Sequence, residues 1–239
     1  MTGDWVSGPE TLTEEELGGN RRNFYADCLE NKLDTDEFWQ SRMPDHSKIK
    51  TPMLSTANWG GQGLHPRGNF EGFVRSASKD KWLEVHGIEH WTHFYTDYGL
   101  DLQKRFFGHF LKGEDTGWME NQPKVQLQIR FPGETFVERH ENEWPLARTD
   151  WTKFYIHPDS MSISEEKQTS QSSVEYLGLS DGVTFLSDPL TEDMEITGPI
   201  ASKLWVSSET NDADLFLVLR AFTPDMKELT FQGALDPHT

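Results

Sequence analysis

The densest run of residues able to do chemistry is 84–95 (EVHGIEHWTHFY), which holds His86, Glu89, His90 and His93. Three kinds of chemistry compete for it. His86, Glu89 and His90 match H-x-x-E-H, an inverted zinc-hydrolase pattern that needs both histidines on one helix face. Gly87 lies inside the motif and the preceding KWLEV has the pattern of a strand, so the spacing argues against that geometry. The second is nucleophile activation. A histidine just past a strand and before a helix can act as general base toward a serine hydroxyl, then as general acid toward the leaving group. His90 stands four residues beyond a strand ending near His86, and a long helical pattern comes after it. The third is a histidine that is only hydrogen-bonded within a loop.

A general base needs a nucleophile. One G-x-S-x-G string is present, Gly178-Leu179-Ser180-Asp181-Gly182. A nucleophile elbow requires a buried strand before the serine and a helix after it, with the serine preceding its histidine in the chain. Ser180 follows a polar loop, precedes the strand-like VTFL and lies after His90. It is expected to be a turn residue, so the chain holds the histidine end of a hydrolytic site without a credible nucleophile.

The elements that must position His90 come in two styles. Residues 10–43 read as helices, with Thr11 or Thr13 as cap ahead of Glu14–Glu16, an interruption at Gly18-Gly19, and Pro44 as the stop. Residues 49–57 and 81–86 read as buried strands. Between them lie the glycine-rich WGGQG and a helix over 69–76. A long amphipathic helix is expected over 97–111, with Leu100, Phe107, Phe110 and Leu111 inward, Lys104 and Arg105 outward, and Lys112-Gly113 as its end. This alternation is the grammar of an α/β sheet. After Gly113, period-two segments at 125–130, 153–157, 183–186, 201–207 and 214–222 alternate with turn clusters, as in a β-sandwich, with a polar surface loop over 159–173.

The 239 residues carry 22 Lys+Arg against 40 Asp+Glu, a formal charge of −18, which repels nucleic-acid backbones and anionic membranes. The lone cysteine, Cys28, permits no internal disulfide and fits a reducing, cytoplasmic setting. No apolar stretch approaches the roughly 18 residues of a membrane span. No cofactor or metal is expected. Trp82, Trp91, Trp144 and Trp205 are expected to pack in cores or interfaces, with Trp144-Pro145-Leu146 bracing one domain against the next.

KWLEVHGIEHWTHFY followed by LDLQKRFFGHFLKGED resembles the end of the catalytic domain of CocE/NonD hydrolases, relatives of the X-Pro dipeptidyl-peptidases. PKVQLQIRFPGETFVERHENEWPLART and FLSDPLTEDMEITGPIASKLWVSS resemble that family's C-terminal jelly roll, and IKTPMLSTANWGGQGLHPRGNFEGF the strand and loop before its histidine segment. The resemblance implies an α/β plus all-β architecture. Residues 1–44 would be a remnant of a helical cap, 45–120 the C-terminal part of an α/β-hydrolase domain, and 121–239 an incomplete jelly roll. It implies a Ser-Asp-His triad whose histidine falls on His90 and whose serine lies upstream of the cap. The family's aspartate follows a Gly-Trp pair; here Asn58-Trp59 is followed by Gly60 and Gly61, and Glu71 is the nearest carboxylate. The implied partner of the full-length parent is a small-molecule ester or X-Pro peptide, with the chain inactive alone. The rival reading is a non-catalytic β-sandwich that binds a partner. About five strands leave edges open, a route to homo-oligomers.

Overall fold

The computed structural model describes residues 11–20, 22–61, 65–87, 90–133 and 135–230. It divides into two units, Met1–Asp45 and His46–Thr239.

The first unit is built from α1 (Glu14–Asn20), α2 (Phe24–Glu30) and α3 (Glu37–Gln40). Thr13 starts α1 by a reciprocal cap: the Glu16 amide donates to Thr13 Oγ1 at 3.3 Å, and the Thr13 amide donates to Glu16 Oε2 at 2.8 Å. This cap carries α1 straight through Gly18-Gly19, where an interruption was expected. Asn23 caps α2 through the Ala26 amide. Trp39 joins α3 to α2, its indole donating to the Asn31 carbonyl at 2.6 Å and its ring meeting Phe24 edge-on at 6.0 Å.

In the second unit a 3-10 turn, His46–Lys48, leads into β1 (Met53–Asn58), α4 (Pro66–Arg75), β2 (Lys81–His86), α5 (His90–Tyr95) and α6 (Asp97–Phe107). Then come α7 (Trp118–Asn121), β3 (Val125–Phe131) and β4 (Thr135–Glu141). The sheet order is β1-β2-β3-β4, with β1, β2 and β3 parallel and β4 antiparallel to β3. Parallel neighbours need crossovers, which α4 and the α5–α7 segment supply. Period two on β2 sends Leu83 and Val85 to one face and Trp82, Glu84 and His86 to the other. The first face packs with Phe73 of α4, Val125, Leu127 and Ile129 of β3, Trp144 and Leu146; Trp144 also stacks on Phe70 at 4.7 Å. The second face buries Trp82 with Leu102, Phe106 and Trp118.

Two sequence expectations change here. The segment 125–130, expected in a sandwich, is instead the third strand of this mixed sheet, because its alternate residues Val125, Leu127 and Ile129 complete the core under α4. The long helix presents Leu102, Phe106 and Phe110 to Trp82, whereas Leu100, Phe107 and Leu111 are exposed. An i, i+4, i+8 stripe meets the second core. A π-turn at Gly108–Lys112 adds one residue to the last turn, which shifts the facing of Leu111, before Gly113 closes the helix with φ 68°.

Beyond β4, β5 (Tyr155–His157), within the strand expected at 153–157, pairs with β6 (Ser162–Ser164), which lies inside the expected polar loop, and β7 (Ala221–Phe222) pairs with β8 (Glu228–Leu229). Of 183–186 only Leu186 makes a bridge, to Ser162. Residues 201–207 and 214–220, expected as strands, have no ladder among the described residues. Trp205, expected to pack, is 85% exposed, and Phe216 is 89% exposed. Side-chain alternation suits a pleated surface, but a strand also needs a neighbour for its backbone groups, and none of the described residues provides it.

Candidate functional site

The carboxyl ends of β1 and β2 bear Asn58 and His86, tied together by the Trp59 amide donating to the His86 carbonyl at 3.0 Å. Between these ends, α4 and α6 lies a cavity of about 540 Å³, whose walls include Asn58, His65, Glu84, His86, His93 and Tyr98.

Glu84 and His86 reach this cavity because they alternate with Leu83 and Val85 along β2. Their side chains are 3% and 7% exposed. His86 Nδ1 lies 2.9 Å from Glu84 Oε2. A carboxylate only accepts, so the ring donates from Nδ1, and in the neutral imidazole Nε2 carries the lone pair. That Nε2 is buried and has no hydrogen-bond partner among the described residues. His93, from α5, stacks on His86 with ring centroids 4.4 Å apart and planes inclined by 14°, and its Nε2 lies 3.9 Å from Glu84 Oε1. Burial and the neighbouring His86 push His93 below the ordinary histidine range, against the opposing pull of Glu84.

A line of hydrogen bonds holds the carboxylate from behind. Tyr98 donates to Glu84 Oε1 at 3.4 Å, and Gln126 donates to the Tyr98 oxygen at 2.8 Å and to Glu138 at 3.0 Å. Gln122 donates to Gln126 Oε1 at 3.0 Å and accepts from Arg105 at 2.9 Å. Burial and the two carboxylates raise the Tyr98 phenol far above its ordinary range, so it stays a donor. The arrangement can orient a neutral imidazole, move a proton at His86 Nε2, or offer one oxygen and two nitrogens to a cation.

The sequence-predicted residues separate. His90 begins α5, directly after the loop from β2, but its side chain lies outside the described residues, as do Glu89 and the side chain of Trp91. The helical H-x-x-E-H geometry is not formed, because His86 is the last residue of a strand. Glu71 is on α4, paired with Arg75 at 2.5 Å, and does not line the cavity. In the glycine run where the resemblance puts the aspartate, a Cβ on Gly61 would sit 2.6 Å from Asn58 Oδ1. Ser180 is in an exposed turn, its hydroxyl donating to the Leu177 carbonyl at 2.6 Å. The sequence reading missed Glu84, Tyr98 and Gln126; the signal for Glu84 was its two-residue spacing from His86 on a strand.

Residues 116–237 match the family model described as the X-Pro dipeptidyl-peptidase C-terminal non-catalytic domain. The chain is 24% identical over 279 residues to cocaine esterase of Rhodococcus sp. (strain MB1 Bresler), covering 90% of this chain and 46% of that protein. Two crystal structures of a CocE/NonD family hydrolase from Staphylococcus aureus match at 35% identity and a TM-score of 0.58, over 62% of this chain and 27% and 26% of theirs. The chain thus spans about half the length of the curated relative and about a quarter of the solved chains. Among the described residues no helix is long and apolar enough to cross a membrane. The chain belongs to the CocE/NonD, X-Pro dipeptidyl-peptidase-like hydrolase family, and its residues 116–237 carry that family's C-terminal non-catalytic domain.

Proposed function

We propose that this chain carries the histidine-bearing wall of a serine acyl-hydrolase site and no nucleophile. In this reading residues 45–120 are the C-terminal part of an α/β-hydrolase domain, with β3 and β4 extending its sheet, 1–44 belong to its helical cap, and the part of 121–239 beyond β4 corresponds to a jelly roll. The observation that carries it is the cavity at the carboxyl ends of two parallel strands, where open α/β sheets keep their sites, with a histidine-rich segment on its wall. His90, opening the helix after β2, is the general base. The parent substrate is a small ester or an X-Pro peptide, the two chemistries in the names of the relative and the matched family.

The chain alone should show no turnover of p-nitrophenyl esters or X-Pro-p-nitroanilides above background. Turnover abolished by Ser180→Ala would overturn the dismissal of that serine. Replacing the corresponding segment of the S. aureus hydrolase by residues 46–113 should preserve hydrolysis, and His90→Ala in the graft should lower kcat by about 1,000-fold or more. Hydrolysis that survives this change sinks His90 as the base.

A second reading, a non-catalytic β-sandwich binding module, is favoured by the matched domain's own description and by the exposed Trp205 and Phe216. Association fits either reading. β1 is an edge strand among the described residues, and Trp205, Phe216 and Val218 are more than three-quarters exposed. Light scattering should show mass rising with concentration; a constant monomer mass counts against it.

A further inference from the structure

We propose that Glu84, His86 and His93 form a binding site for a divalent transition-metal ion, zinc being the best fit. One ligand atom from each residue can be chosen so that all lie within 4.8 Å of one another. Tetrahedral zinc, with bonds of about 2.0–2.1 Å, draws its ligands to separations of about 3.3 Å, so the cluster needs a contraction of side-chain size and no backbone change. His93 can supply it: its side chain is 24% exposed, and its stacked ring turns toward Glu84 by rotation of its own torsions.

The second observation is independent of the spacing. His86 Nε2 and His93 Nε2 are both buried, and neither has a hydrogen-bond partner among the described residues. Two orphaned ring nitrogens beside a buried carboxylate form an arrangement that a cation would satisfy and that protein groups alone do not. Two imidazoles and one carboxylate, with no thiolate, suit zinc, cobalt or nickel; calcium and magnesium take oxygen ligands. The support for the carboxylate is already built, since Tyr98 donates to Glu84 and Gln126 donates to Tyr98. Three protein ligands leave a fourth position, which the cavity can fill with water or a ligand oxygen. This ligand set is distinct from His86, Glu89 and His90 of the H-x-x-E-H string: it joins residues two apart on a strand to one on the following helix. It does not depend on the hydrolase reading.

The test uses the full chain, stripped with a chelator and titrated with Co2+ and Zn2+, following the visible d–d bands of Co2+ and their loss on Zn2+ displacement. One equivalent should bind with the absorption of a low-coordinate site. His93→Ala and Glu84→Gln should each weaken binding by about 100-fold or more, and Tyr98→Phe by about 10-fold. His93 is the partly exposed member, so its variant keeps the test open if changes at Glu84 disturb folding. Absence of stoichiometric binding, or binding unchanged in His93→Ala and Glu84→Gln, overturns the site. The readout involves no substrate, so either outcome leaves the hydrolase reading where it stands.

Discussion

Replacing Trp82 with alanine should lower the unfolding free energy of the His46–Thr239 unit by about 3–5 kcal/mol. Trp82 is 1% exposed at the start of β2, the strand paired on both sides by parallel neighbours. Its ring meets Trp118 at 5.4 Å, Phe110 at 5.6 Å and Phe106 at 6.4 Å, and Lys124 Nζ lies 3.9 Å from its centroid. Alanine would leave a void walled by three aromatic rings on α6, the π-turn and α7, each fixed by its own backbone, so collapse into the space is restricted. The loss comes from the cavity as much as from the lost burial. Trp205→Ala is the matched control: at 85% exposure it should change stability by no more than about 0.5 kcal/mol. Urea titrations followed by far-UV circular dichroism measure both. A Trp82→Ala loss below about 1 kcal/mol would mean that α6 does not pack on β2.

The contrast between these two tryptophans also marks how far the sequence could be read. KWLEVH delimits β2 to the residue, because an apolar alternation between polar ends has few other solutions. The α6 helix is legible from its apolar spacing, yet its buried face is not, and α4 starts at Pro66, three residues before the expected 69–76. A 3.6-residue period permits more than one stripe on a helix with Leu100, Leu102, Phe106, Phe107, Phe110 and Leu111, and the choice was made by Trp82 and Trp118, which are distant in sequence. The site was half legible for the same reason. The histidine-rich run located its wall, but Glu84 entered through the facing of β2 and Tyr98 through the first turn of α6, and only the fold brings these together. The later strand patterns at 201–207 and 214–220 are legible as sequence and have no ladder among the described residues, since alternation specifies a surface and not a partner.

The turn between α5 and α6 supplies the second large expected effect, and there the usual rule for glycine in a helix should change sign. Gly99 is the third residue of α6. A Cβ added there would lie 2.2 Å from the His93 carbonyl oxygen and 2.8 Å from that of Phe94. Both are backbone atoms, so no rotamer change relieves the contact. They are also held in place: the Thr96 hydroxyl donates to the His93 carbonyl at 2.8 Å and accepts the Gly99 amide at 3.3 Å, while Gln103 donates to the Phe94 carbonyl at 3.0 Å. Gly99→Ala should therefore cost about 2–3 kcal/mol, the scale of overpacking a rigid contact. Gly72, inside α4, has nothing within 4 Å of its added Cβ, so Gly72→Ala should stabilise by up to about 1 kcal/mol through helix propensity alone. The same substitution at two helical glycines thus gives opposite signs, read as opposite shifts of the urea midpoint. If Gly99→Ala stabilises as Gly72→Ala does, the close approach of α6 to the α5 backbone is wrong, and with it the placement of His93 against His86 and Glu84.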